Sequence, residues 1–372
     1  MALGAGTKRT VACVLVGLGT LLIVAAVLTP TYAVSQLAKT PLDLEITTIA
    51  TNNPNAPSEV LDSKSLTSGT GPAKVDQNVS LISQRFLTVE DPSNKTEMTV
   101  QAGSTLRRID KQGDTGLLTA TIDRVTIDRK TGQPVDTDPN GSIAAAVNSK
   151  GESVADPVQH TGLQYRFPIG TEKKDYPYFD INARKSFDMK FVEETEINDL
   201  KVYHFQQQVP PTDLAKVVNA PTNKLTFPAA KWGVEGEGDV TMDRFYTDIR
   251  DVWVEPDTGT VIKGAEQIHL YYAREAAKPE VTALKSSLVF DPKTVDSQIA
   301  EAKKYTDELS LYSRILPIVL GVIGAIALIV GLVLGLVGGG EDKPGRVVRK
   351  RAPADAGADD QPTQQIDLGK RP

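Results

Sequence analysis

Three histidines, His160, His204 and His269, are the residues of this chain most suited to acid–base or metal chemistry, and their spacing supports neither. Each stands without a second ligand at helical or turn spacing, so each reads as a strand or surface histidine. No Gly-x-Ser-x-Gly is present, and the single cysteine, Cys13, sits inside an apolar run as a small buried residue. Gly233-x-x-Gly236-x-Gly238 carries two glutamates between strand-like pieces and reads as a flexible connection, not a phosphate loop. Glu193, Glu194 and Glu196 read as a solvated strand end. No metal, cofactor or catalytic residue is called for, and an enzyme of envelope assembly has only the carboxylates Asp175 and Asp180 in its favour.

One segment differs. Aromatic residues are 6% of the chain, yet they gather between Leu163 and Asp180. Tyr165, Phe167, Tyr176, Tyr178 and Phe179 are the candidate ligand-binding residues. Such a cluster can line a groove for an acyl chain or a sugar ring, and it can equally pack a core between sheets.

The elements that would hold this segment are mostly strands. Asn78 to Glu90 and Glu97 to Gln101 are β-like, and Leu117 to Asp128 alternates along its length. Asp136 to Pro157 is polar and reads as a loop. Phe187 to Glu196 and Lys201 to Val209 form a strand pair around an Asn198-Asp199 turn. Asp239 to Tyr246 and Arg250 to Glu255 lead into a hairpin whose turn, Pro256-Asp257-Thr258-Gly259, has a mechanism: Pro presets φ and Gly takes a positive φ. Glu266 to Tyr272 returns the chain. Helix is expected from Val295 to Ser313, capped by Thr294 and continuing, with a kink at Pro317, into an apolar span.

Two uncharged runs, Val11 to Leu28 and Ile315 to Val337, are each long enough to cross a hydrocarbon core of about 30 Å. The first is longer than the core of a signal peptide, so it reads as an uncleaved anchor. Lys8 and Arg9 precede the first run, and Lys343, Arg346, Arg349, Lys350 and Arg351 follow the second. Basic flanks stay in the cytoplasm, which puts both termini inside and the intervening domain outside. The expected order is a cytoplasmic N-terminus (1–10), a first span (11–30), a stalk (31–75), a periplasmic β-rich domain (76–292), a membrane-proximal helix (293–314), a second span (315–337) and a disordered cytoplasmic tail (338–372). The exported domain has no cysteine and must be held by its core alone. A net charge of −6 argues against a nucleic-acid partner. The fold class expected is mainly β: an antiparallel sandwich or curled sheet between two transmembrane helices. Gly331-xxx-Gly335 is the spacing that lets membrane helices approach closely, and glycine is also simply frequent in such helices.

The segments Gly162 to Asp180, Leu200 to Val209 and Val252 to Gly264, set between two spans, resemble an actinobacterial envelope family of porin PorA-like proteins that includes the polar growth factor PgfA. That resemblance implies a non-enzymatic inner-membrane protein working with the large flippase that exports trehalose monomycolate, by binding this mycolate glycolipid or docking on the transporter. The alternatives are a scaffold or sensor recruiting partners through its tail, and a porin-like protein. A spanning barrel would need a lipid-facing apolar band, which these strands do not show.

Overall fold

The structure, a computed structural model, describes residues 5–53, 55–69, 71–147 and 153–337. The tail expected to be disordered, 338–372, lies outside the described residues. The described residues divide into two compact units, one formed by 5–22 with 323–337 and the other lying within 23–322.

Among the described residues the larger unit is built on one antiparallel sheet of fifteen strands. In chain order these are β1 (Glu45–Asn52), β2 (Ser58–Leu61), β3 (Val75–Val79), β4 (Leu81–Glu90), β5 (Glu97–Arg108), β6 (Leu117–Asp128), β7 (Gly141–Val147) and β8 (Ser153–Val158). They continue as β9 (Tyr176–Asp180), β10 (Lys185–Ile197), β11 (Leu200–Asp213), β12 (Lys224–Pro228), β13 (Asp239–Glu255), β14 (Thr260–Ala273) and β15 (Val281–Phe290). Their spatial order is β8-β7-β6-β5-β4-β1-β15-β14-β13-β11-β10-β9, with β12 on β13 and β2 joining β15 to β3. The mainly β, antiparallel character is as expected. The sandwich is not what forms, because the strands hydrogen-bond into one sheet.

That sheet is not closed by a ladder between its end strands. Its ends meet through side chains instead: Ile143 of β7 and Val158 of β8 pack with Phe179 of β9, and Arg184 reaches Asp156 at 2.7 Å. The connection between β8 and β9 fills the gap. Leu163 bonds Pro177 and Phe179 through the backbone, at 2.7 and 2.8 Å.

Three stretches depart from the sequence reading. The segment 31–75, read as a stalk, supplies β1, which lies mid-sheet between β4 and β15. Residues 136–157, read as loop, supply β7 and most of β8; their Ala-rich run, Ala144-Ala145-Ala146, has little intrinsic strand preference and is held by pairing to β6. The two segments read between Asp239 and Glu255 run as one strand of 17 residues.

The helices used below are α1 (Ala5–Leu37), α2 (Pro292–Ser310) and α3 (Leu316–Val337). Asp291, not Thr294, caps α2, accepting from the Thr294 N–H at 2.7 Å. The Thr294 hydroxyl is occupied by the Ile49 backbone, which ties α2 to β1. Ile299 and Ala302 bury the inner face of α2 against Val202 and Ile262. A π-helical turn, Leu311–Ile315, stands just before Pro317, where a kink was expected.

In the smaller unit the ends of α1 and α3 pack through small residues. A Cβ on Gly19 would lie 2.7 Å from the Gly324 carbonyl, and one on Gly331 would lie 2.9 Å from the Val16 nitrogen. Gly335 faces Ala12. The Gly331-xxx-Gly335 face is therefore used within the chain, against its own N-terminal helix.

Candidate functional site

The inner face of the sheet lines a part-open cavity with a free space of about 120 Å³. Period-two alternation supplies its walls: Ile46, Thr48 and Ala50 from β1, Ser83, Arg85 and Leu87 from β4, Met98 and Val100 from β5, and Leu288 and Phe290 from β15. Gln298, Glu301 and Tyr305 close one side from a single face of α2. Gly264 on β14 leaves room for the Phe290 ring, since a Cβ there would stand 3.1 Å from it.

Two polar clusters border this space. In the first, Asp123 on β6 accepts from His160 Nε2 at 2.8 Å, from Gln164 Nε2 at 2.8 Å and from the Tyr165 hydroxyl. Asn140 grips the His160 backbone reciprocally, at 2.8 and 2.9 Å. Gly141 makes space for the imidazole, because a Cβ there would lie 2.7 Å from it. Tyr165 adopts a left-handed φ of 65°, an uncommon conformation for an aromatic residue. Burial, then the Asp123 charge, pushes its phenol well above the usual range.

In the second cluster Arg250 on β13 donates Nε to Glu266 at 2.8 Å, Nη1 to Gln207 at 2.7 Å and Nη2 to Asp180 at 3.0 Å. Asp248 lies 3.2 Å from the same Nη2, but its oxygens make no hydrogen bond among the described residues. Burial raises the Asp248 carboxyl well above the usual carboxylate range, and the charges of Glu266 and Asp180 add to the effect of burial.

The five aromatic candidates separate. Tyr165, Tyr178 and Phe179 line the cavity. Phe167 and Tyr176 pack with Phe205 in a core cluster, the two phenylalanine rings 4.8 Å apart. Asp175 accepts the Phe191 N–H, away from the clusters, whereas Asp180 is wholly buried against Arg250. The histidines are dispersed: His204 pairs with Asp251 and stacks on Trp253, and His269 lies near Thr282. Among the described residues no group of His, Cys, Asp and Glu could hold a metal ion. Arg85, Arg166, Arg250 and Glu266 also line the cavity and were not singled out. Their sequence signal is faint, because a buried charge alternates along a strand just as a solvent-facing one does.

A family model for the porin PorA proteins matches residues 11–333. The chain belongs to the porin PorA family. A porin PorA of Corynebacterium amycolatum is 31% identical across 87% of this chain and 98% of its own length. One of Corynebacterium resistens is 31% identical across 88% of this chain and 97% of its own. These relatives overturn the expectation of a mycolate glycolipid carrier or flippase partner, since they bear the name of a channel-type protein. For this PorA-family chain the porin-like alternative is the better supported one.

Proposed function

We propose that this PorA-family chain is a non-enzymatic, porin-class membrane protein that passes small solutes. The observation that carries the reading is the likeness to proteins named porin PorA over nearly their whole length. Two helices, Gly6–Tyr32 and Pro292–Val337, are long and apolar enough to cross a membrane. The sheet is a poor lipid-facing wall: charged Lys190, Glu193, Glu194 and Glu196 of β10 and Lys201 of β11 are all exposed. The membrane is then crossed by α1 and α3, with both termini cytoplasmic and the β unit outside, as the basic flanks direct. Because α1 and α3 meet at glycines with no lumen between them, the pore is formed by several copies. Tyr165, Tyr178 and Phe179 contact solute held in the cavity of the β unit.

Single-channel recording in planar bilayers tests this. Purified full-length chain gives discrete conductance steps whose frequency rises more than linearly with protein density. Chain shown to be inserted in the bilayer, yet electrically silent, would overturn the proposal.

A further inference from the structure

The cavity lining holds three guanidiniums, Arg85, Arg166 and Arg250, and they are not equivalent. Arg250 is answered by Asp180, Asp248 and Glu266. Arg85 lies over the Tyr165 ring, and Glu266 feels its charge. Arg166 donates Nη2 to the Thr258 carbonyl and has no carboxylate at ion-pair distance among the described residues. Glu308 shares a small neighbouring pocket with Arg166, yet the two form no ion pair. Burial pushes the Arg166 guanidinium down to about 10, so it keeps its charge at neutral pH. A shielded cation without an anion is costly, and a guanidinium fork matches a carboxylate in shape and charge.

The size of the cavity sets the rest of the ligand. The free space is about 120 Å³ and is not sealed off, so a ligand somewhat larger than this volume can project from it. One ring, or a chain of a few carbons, is what fits inside. Ile46, Leu87, Val100, Leu288 and Phe290 offer that ring an apolar wall.

We propose that the cavity binds a small apolar monocarboxylate, aryl or short alkyl, with its carboxylate on Arg166 and its apolar body against β1, β4, β5 and β15. This deepens the solute-passing reading by naming the class of solute.

Isothermal titration of the full-length chain in lipid nanodiscs tests it with benzoate and with benzamide, its uncharged isostere. Benzoate binds saturably at one site per chain, and benzamide binds at least about tenfold more weakly, because the charge-assisted fork is lost. Arg166→Gln lowers benzoate to the level of benzamide, and Arg166→Lys retains part of the difference. Equal affinity for the two probes, no benzoate binding, or a folded Arg166→Gln that binds benzoate as the unmodified chain does would overturn the proposal. Should Arg166→Gln fail to fold, the benzoate-to-benzamide ratio in the unmodified chain still decides. A chain that conducts but does not bind benzoate sinks this inference alone, and one that binds but never conducts sinks the porin reading alone.

Discussion

His160 Nε2 lies 2.8 Å from Asp123 Oδ1, and both side chains are shut off from solvent. The same carboxylate also receives Gln164 and Tyr165. The connection between β8 and β9, which carries Arg166 into the cavity, is thus fastened to the sheet by one acidic residue of β6.

Asp123→Ala removes the acceptor of three donors at once. Leaving a buried donor without its acceptor costs about 1–3 kcal/mol for each group stranded. The melting temperature of the full chain, followed by circular dichroism, should fall steeply. A loss equivalent to less than about 1 kcal/mol, the worth of an exposed pair, would show that the connection is held by its backbone bonds instead.

Asp248 makes stability depend on pH in a defined direction. Its folded-state carboxyl is raised, by burial first and then by Glu266 and Asp180. Between the ordinary carboxylate range and that raised value the folded state binds the extra proton, so the contribution of Asp248 is fully present in acid and is lost as pH rises through the raised value. Asp248→Asn, a permanent mimic of the protonated form, should raise the melting temperature near pH 8 and change it little near pH 3, below the ordinary carboxylate range. The opposite ordering would mean that Asp248 is ionised in the fold. Glu266, held low by Arg250 and Arg85 against its burial, works in the other sense and is lost only as pH falls.

Gly259 closes the β13–β14 hairpin at φ 73°, and a Cβ there would stand 2.1 Å from the Phe167 carbonyl. Strain and clash act together, so Gly259→Ala should cost at least about 2 kcal/mol. Denaturant unfolding reads it, and an unchanged midpoint would show that the connection simply gives way.

A Cβ on Gly335 would lie 3.7 Å from that of Ala12, within the usual disulfide range. In a Cys13→Ser background, Ala12→Cys with Gly335→Cys should cross-link on mild oxidation in membranes, seen as a mobility shift under non-reducing conditions. Adding Gly331→Val, which collides with the Val16 backbone, should suppress it. Cross-linking that Gly331→Val leaves untouched would refute the packing.

The parts of the fold legible in the sequence are those set by local chemistry. Leu117 to Asp128 alternates and forms β6 over those same residues. Asn198 and Asp199 form the β10–β11 turn, with φ values of 48° and 62°. What could not be read depends on pairing partners: β1 gains its place from β4 and β15, and the Ala-rich β7 from β6 and β8. The same division applies to the site. The aromatic density marked the right stretch of chain, but which of its rings face the cavity is decided by the pairing of β9 with β10 and by the left-handed turn at Tyr165. Arg166 and Arg250 are conspicuous only once their surroundings are known, because nothing local distinguishes a cation facing inward from one facing water.

The pairing of β1 with β15 also dictates when the β unit can finish folding. Ala50 lies opposite Phe290, across almost the whole length of the unit. The hairpins from β4 to β7 can zip as they emerge, but the first strand waits for the last, and its edge stays unpaired until then. A nascent chain stalled before residue 290 would present that bare edge to its surroundings. Completion of this unit therefore hangs on a single late event, and aggregation is the hazard if that event is delayed.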